Sequence, residues 1–126
     1  QGGALKAVSG MPPLQFSLSA VMALVHEGAL TIEQLVQKMC HAPATLYQIK
    51  NRGFIRPGYQ ADLVLVNPTK VWTVNNDCIL SKCGWSPMEG QTFHSKVVKT
   101  FANGHIVYDG QKVDTDYRGQ ALAFDR

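Results

Sequence analysis

Apolar residues near the start of the chain recur at the spacing of an α-helix. Ser17 is suited to N-cap a helix, and Gly28 is suited to end it as the C′ residue. Four apolar residues between them lie at i, i+3, i+4 and i+7: Leu18, Val21, Met22 and Val25. The pattern predicts one amphipathic helix, with His26 in its last turn as a capping or surface residue rather than a metal ligand.

A second helical pattern follows directly. Thr31 and Gln34 have the spacing of a capping box, which satisfies two backbone N–H groups at a helix start. The apolar face of this helix would consist of Ile32, Leu35, Val36 and Met39. Pro43 is suited to the first position of a short third helix that runs through Leu46 and Tyr47.

The uncharged run from Leu63 to Val66 is typical of a strand. Before it, Pro57 presets φ and Gly58 can adopt a positive φ, so residues 56–59 are predicted to form a type II turn. After it, Pro68 cannot donate to a sheet ladder. A short apolar run between turn signals predicts a strand that is buried on both faces.

Further strands are expected downstream, and the tail is expected to pack irregularly. Residues 71–74 alternate between apolar and polar. Asn103-Gly104 separates two β-rich runs, 96–100 and 105–108, which predicts a hairpin with a type I′ turn. Residues 115–126 show no clear pattern. Three helices followed by strands indicate an α/β body that ends near residue 50 and a β module that begins near residue 51.

Composition limits the classes of function. The chain has 126 residues, of which 45% are hydrophobic, enough for one ordinary globular domain. The net charge of +3 is spread along the chain, so no basic stripe indicates nucleic-acid binding. No apolar run approaches the roughly 20 residues of a membrane span. Three cysteines without CxxC spacing favour a reducing cytoplasm over a disulfide scaffold.

The chain offers little catalytic chemistry of its own. Its four histidines are His26, His41, His94 and His105, and none forms an HxH or HExxH motif. Cys78 and Cys83 have no matching pair with which to bind zinc. Residues 7–13 contain small residues, one glycine and two prolines, which fits either a loop whose main chain holds a planar polar ligand or a plain linker.

Residues 52–68 resemble the segment by which enzymes of the amidohydrolase superfamily re-enter their small β-sandwich after the catalytic barrel. The matching residues are Gly53, Ile55, Gly58, Ala61, Asp62, Leu63, Val64, Leu65 and Pro68. This resemblance identifies a superfamily but no substrate.

Three other segments resemble the dihydroorotase family of zinc-dependent cyclic amidohydrolases. They are residues 7–15, residues 24–36, and residues 81–104 with Ser86-Pro87-Met88-Glu89-Gly90. The last is similar to the family's ending and separates it from hydantoinases and allantoinases. The sequence departs from the family at Pro13, where glycine is usual, at Gln15, where glutamate is usual, and at Ala42, where asparagine is usual.

The resemblance implies a fold and a site. Residues 1–50 would be the last loop and helices of a TIM (β/α)8 barrel, and residues 51–126 the C-terminal part of the small β-sandwich. The backbone of Ser9 and Gly10 would bind the dihydropyrimidine ring. The ligands of the zinc ions and the catalytic aspartate would lie upstream of Gln1, so the chain alone should hold no metal and be inactive.

The resemblance also implies a reaction and partners. The whole enzyme would hydrolyse dihydroorotate reversibly to N-carbamoyl-L-aspartate in the cytoplasm, as a step of pyrimidine biosynthesis. We expect the remainder of the same polypeptide to cover this chain, and a homo-oligomer to form. Two alternatives remain: a hydantoinase- or allantoinase-type enzyme, and an inactive homologue that scaffolds a partner such as aspartate transcarbamoylase.

Overall fold

The computed structural model describes residues 10–125, and its first half is helical. A 3-10 turn, Leu14–Phe16, leads directly into helix α1, Ser17–His26. The predicted N-cap role of Ser17 is wrong, because the preceding turn makes Ser17 the first helical residue and its Oγ donates to the Leu14 carbonyl at 3.0 Å. The predicted end is confirmed: Gly28 has φ of 75° and donates to the Val25 carbonyl.

The second and third predicted helices form one uninterrupted helical segment. Helix α2, Ile32–Val36, continues through a π-helical turn, Gln37–His41, into helix α3, Ala42–Leu46. The capping box is confirmed, with both reciprocal bonds between Thr31 and Gln34 present at 3.2 and 2.9 Å. Pro43 is the second residue of α3 rather than the first, because α3 continues directly from the π-helical turn and begins at Ala42. Leu35 is buried, whereas Ile32 and Met39 are exposed, so the predicted apolar face is only partly covered.

The second half of the chain forms two small antiparallel sheets. Its strands are β1, Leu63–Asn67; β2, Trp72–Thr73; β3, Thr92–Phe93; β4, Lys96–Ala102; and β5, His105–Tyr108. One sheet has the order β1-β4-β5, and the other pairs β2 with β3. The predicted hairpin is confirmed: Asn103 and Gly104 join β4 to β5 with φ of 52° and 82°. The mixed α/β class is therefore observed.

The turn before β1 has the predicted form. Gly58 has φ of 81°, and the Tyr59 N–H donates to the Arg56 carbonyl at 3.1 Å. Asp62 then connects this region to the hairpin: one carboxylate oxygen pairs with Arg52, and the other accepts from the Asn103 N–H at 2.7 Å.

The expectation that β1 is buried on both faces is wrong for the described residues. Val64 is 47% exposed and Leu65 is 49% exposed, one on each face of the strand. The cause is position, since β1 lies at the edge of its sheet and, within residues 10–125, pairs only with β4.

The core joins the helical and the strand regions. Its buried centre consists of Phe16, Val74 and Phe93, against which Trp72 and residues of α1 pack. The C-terminal tail returns to the end of α3, where the Lys50 N–H donates to the Ala123 carbonyl at 2.8 Å. Apart from bridges such as Ile49–Phe124, the tail is irregular up to residue 125, as predicted. No helix within residues 10–125 is long and apolar enough to cross a membrane.

Candidate functional site

The two residues predicted to bind substrate lie at the edge of the described chain. Ser9 lies outside the described residues. Gly10 is exposed, and no described atom lies within 4 Å of the position that a Cβ would take there. The backbone of Gly10 is therefore accessible to a ligand.

The loop that follows Gly10 is held by the side chain of Gln15. Its Nε2 donates to the carbonyl of Cys78 at 2.6 Å, and its Oε1 accepts from the N–H of Leu80 at 2.9 Å. The next residue, Phe16, is 2% exposed and belongs to the core. Residues 15 and 16 thus attach the loop to the strand region, one by hydrogen bonds and the other by burial.

An open cleft of about 1230 Å³ adjoins this attachment. It lies between the start of α1 and one face of the β1-β4-β5 sheet, with Trp72 at one side. Its lining includes Gln15, Val64, Lys96, Val97 and Tyr108. Apolar walls with a few polar groups are what small-molecule sites and buried chain segments both require.

Two polar side chains of the cleft, those of Tyr108 and Lys96, are suited to binding a ligand. Burial, with a smaller contribution from the Asp109 carboxylate, raises the pKa of the Tyr108 phenol. A phenol with a raised pKa stays protonated at neutral pH and serves as a hydrogen-bond partner. The Lys96 ammonium lies 5.3 Å from the centre of the Trp72 ring, a cation–π distance.

The histidines do not assemble a metal centre. The ring centroids of His26 and His94 are 6.1 Å apart. The His41 ring stacks on Phe54, and the His105 ring forms a hydrogen bond with the Asp114 carboxylate. Within residues 10–125, no three or more side chains of histidine, cysteine, aspartate or glutamate are grouped so that they could hold a metal ion.

The loop containing Ser86-Pro87-Met88 carries a thiol with altered acidity. The hydroxyl of Ser81 lies 3.0 Å from the Cys83 Sγ, and this hydrogen bond is the main cause that lowers the pKa of the exposed thiol. Ser86 is buried, and its Oγ accepts from the Met88 N–H at 3.1 Å, which fixes the turn.

Sequence reasoning noted Gln15 as a departure from the resembled family but missed its role as the residue that anchors the loop. An exposed glutamine between a proline pair and a helix has no periodic or motif signal. The available indication was that it replaces the glutamate usual in the resembled family, a change that exchanges a carboxylate for a group able to donate.

The chain is similar to known proteins over most of its length. The amidohydrolase family matches residues 5–107. A dihydroorotase from Clostridioides difficile is 42% identical over 106 residues, which are 83% of this chain and 24% of that protein. A dihydroorotase from Pyrococcus horikoshii is 32% identical over 114 residues, 90% of this chain and 27% of that protein.

The chain is also similar to solved structures of hydantoinases. The L-hydantoinase (dihydropyrimidinase) from Arthrobacter aurescens superposes with a TM-score of 0.81 at 28% identity, over 88% of this chain and 25% of that one. The chain thus spans about a quarter of the length of the relatives it matches.

Proposed function

Because the chain belongs to the amidohydrolase family, we propose that it is part of a dihydroorotase, which reversibly hydrolyses the ring amide of dihydroorotate to N-carbamoyl-L-aspartate. The observation that supports this most is the similarity to curated dihydroorotases along most of the chain. The proposal concerns the polypeptide that carries residues 1–126, since the chain spans only a quarter of such enzymes.

We infer that residues 1–50 are the last loop and helices of a (β/α)8 barrel and that residues 51–126 are part of a small β-sandwich. The order of elements supports this division, because the described helices end at Leu46 and the described strands begin at Leu63. The shared core of Phe16, Val74 and Phe93 would form the contact between the two parts.

Zinc is the metal that the resemblance implies, and the described residues do not fit a catalytic zinc site. Such a site needs about three protein ligands and an open position for water. No suitable group occurs within residues 10–125. We therefore place the zinc ligands and the catalytic aspartate in another part of the polypeptide, and we assign no bond-making step to the residues described here.

The proposed contribution of this chain is to orient the substrate. Backbone groups of Ser9 and Gly10 would bond to the amide and carbonyl groups of the dihydropyrimidine ring. The exposed backbone of Gly10 supports this role, although Ser9 lies outside the described residues. Main-chain groups fix the ring without adding charge beside the scissile amide.

A variant at Gly10 tests that contribution. Gly10→Val should raise KM for dihydroorotate by about tenfold, a loss of about 1.4 kcal/mol of binding. Gly119→Val is the matched control, because Gly119 is also exposed with open space around its Cβ position but lies in the tail. Equal KM values for the two variants would remove Gly10 from the substrate site.

The rest of the polypeptide is the proposed partner of this chain, and a homo-oligomer is also expected. Large apolar side chains are exposed on several elements: Leu14, Leu46, Ile55, Val64 and Leu65. Apolar surface of this extent is usually covered. Sedimentation analysis should show residues 1–126 alone as aggregated or self-associated; a stable monomer would contradict this expectation.

A hydantoinase-type enzyme is the second candidate, and the likeness to the L-hydantoinase structure favours it. The polypeptide that carries this chain should be assayed with dihydroorotate, hydantoin, dihydrouracil and allantoin. Highest kcat/KM for dihydroorotate supports the first proposal, and highest kcat/KM for a hydantoin supports the second. No turnover by the zinc-loaded protein would leave the inactive scaffold as the surviving interpretation.

A further inference from the structure

The side chain of Gln15 acts as a short piece of β-bridge. It donates to the Cys78 carbonyl at 2.6 Å and accepts from the Leu80 N–H at 2.9 Å. A primary amide can satisfy one acceptor and one donor at once, as a backbone peptide does. Residues 78 and 80 are thereby held by a residue that is 63 and 65 positions away in the chain.

We propose that Gln15 is a positioning residue, whose amide holds the loop after Gly10 against the segment of residues 78–80. The loop contains Pro12 and Pro13, and the Phe16 N–H donates to the Pro13 carbonyl at 3.0 Å. These restrictions, together with the amide bonds, limit the backbone conformations of residues 12–16 in the loop that follows Gly10. The catalytic consequence rests on the proposed function, whereas the attachment itself does not.

The chemistry of the two bonds requires an amide. A carboxylate at this position could accept from the Leu80 N–H but would face the Cys78 carbonyl oxygen without a proton to donate. A protonated carboxyl group could make both bonds. In a Gln15→Glu variant the folded state should therefore raise the pKa of the introduced carboxyl above its unfolded value of about 4.3.

The sign of the pH effect follows from that shift. A raised pKa in the folded state means that the stabilisation is complete below the unfolded pKa and is lost as pH rises through the folded pKa. The ratio of unfolding equilibrium constants, variant over wild type, should increase about fivefold between pH 4 and pH 7. Gln15→Met should show a ratio that does not change with pH.

Further variants serve as controls for the contribution of other ionisable groups of the cleft to the pH dependence. The charged and titratable side chains that line it are Asp77, Cys78, Lys96, Tyr108 and Lys112. Gln111→Glu places the same charge in the same cleft, and the Gln111 side chain makes no hydrogen bond within the described residues. Adding Asp77→Asn to Gln15→Glu removes the carboxylate that precedes Cys78 in the facing segment.

The decisive experiment measures urea unfolding of the complete polypeptide at both pH values and its steady-state kinetics at pH 7. The hydrogen bonds of the Gln15 amide are supported if two results are obtained. The ratio of unfolding equilibrium constants for Gln15→Glu should rise fivefold with pH, with and without Asp77→Asn. The same ratio for Gln111→Glu should not change with pH. Equal pH effects in Gln15→Glu and Gln111→Glu, or none in either, would overturn the amide bridge.

Kinetics then test positioning separately. Gln15→Glu should raise KM about fivefold while kcat stays within about twofold, because a loosened loop must be ordered when substrate binds. An unchanged KM beside the expected pH effect would overturn the positioning role but leave the bridge. Absence of turnover in the wild-type enzyme would refute the proposed function, and unfolding would still report on the bridge.

Discussion

The indole Nε1 of Trp72 donates a hydrogen bond of 2.8 Å to the carbonyl oxygen of Ser95. Trp72 lies in β2, and Ser95, which is 1% exposed, immediately precedes β4. The bond therefore connects β2, in the two-stranded sheet, to the residue before β4, in the three-stranded sheet.

Replacing the indole should weaken that connection. Trp72→Phe keeps a ring that can contact Phe16 and Phe93 but removes the donor from a buried acceptor. The free energy of unfolding should fall by about 1–2 kcal/mol, measured by urea titration. Trp85→Phe is the control, since the Trp85 indole makes no hydrogen bond in the described residues. Equal losses in both variants would show that ring size, and not the bond, determines the effect.

Two glycines in one segment should respond very differently to alanine. A Cβ at Gly53 would lie 2.3 Å from the Ala44 Cβ and 2.8 Å from the Cys40 carbonyl oxygen, whereas a Cβ at Gly58 meets nothing within 4 Å. Both have positive φ, 79° and 81°. Gly58→Ala should cost about 1 kcal/mol through backbone conformation alone, and Gly53→Ala about 3 kcal/mol or more.

Thermal unfolding monitored by circular dichroism would compare these two variants. Because their backbone conformations match, the difference between them reports the contact between Gly53 and the helical segment. A difference near zero would mean that the helix moves aside at no cost.

Protonation of Asp114 should loosen the start of the C-terminal tail. The hydrogen bond from His105, supported by the N–H groups of Asp116 and Tyr117, lowers the pKa of Asp114 from 3.8. A lowered folded-state pKa means that the stabilisation is present above the unfolded pKa and is lost as pH falls through the folded one. The wild type should therefore be more stable than Asp114→Asn at pH 6, and the gap should narrow below pH 4.

The comparison variant for that measurement is Asp116→Asn, which removes a neighbouring carboxylate that forms no ion pair within residues 10–125. Melting temperatures at several pH values would be measured for all three proteins. A gap between wild type and Asp114→Asn that is independent of pH would contradict the predicted role of ionisation.

The thiol of Cys83 should be the fastest-reacting exposed cysteine in the described chain. Its pKa is lowered mainly by the Ser81 hydroxyl, so more of it is thiolate near neutral pH than in an ordinary cysteine. Alkylation by iodoacetamide at pH 7, followed by peptide mass spectrometry, should modify Cys83 before Cys40. Ser81→Ala should lower the alkylation rate of Cys83 and leave that of Cys40 unchanged. An unchanged alkylation rate of Cys83 would show that the Ser81 hydroxyl does not cause its reactivity.

Several turns and the capping box could be predicted from the sequence because their signals are local, whereas the predicted Ser17 N-cap was displaced by the 3-10 turn before it. Gly58 and the Asn103-Gly104 pair occupy positions that require positive φ, and the Thr31–Gln34 capping box uses two side chains three residues apart. In each case the chemistry that fixes the backbone lies within a few residues, so a single sequence contains it.

Features that depend on distant partners could not be predicted in this way. The burial of β1 depends on what flanks it, and β3 is only two residues long. The π turn changes the number of residues per turn without changing which residue types appear. Gln15 was noted for its residue type. Its hydrogen bond to the carbonyl of Cys78 could not be predicted, because the two residues are 63 positions apart in the chain.

The composition of the core determines the order in which the chain can fold during synthesis. Phe16 and helix α1 leave the ribosome well before Phe93, at about 5–20 residues per second. For several seconds Phe16 and α1 therefore lack Val74 and Phe93, the core residues against which they pack. Closing such a long loop is slow, as in other folds of high contact order. Destabilising substitutions in β3 should therefore reduce the yield of folded protein more than their equilibrium cost suggests.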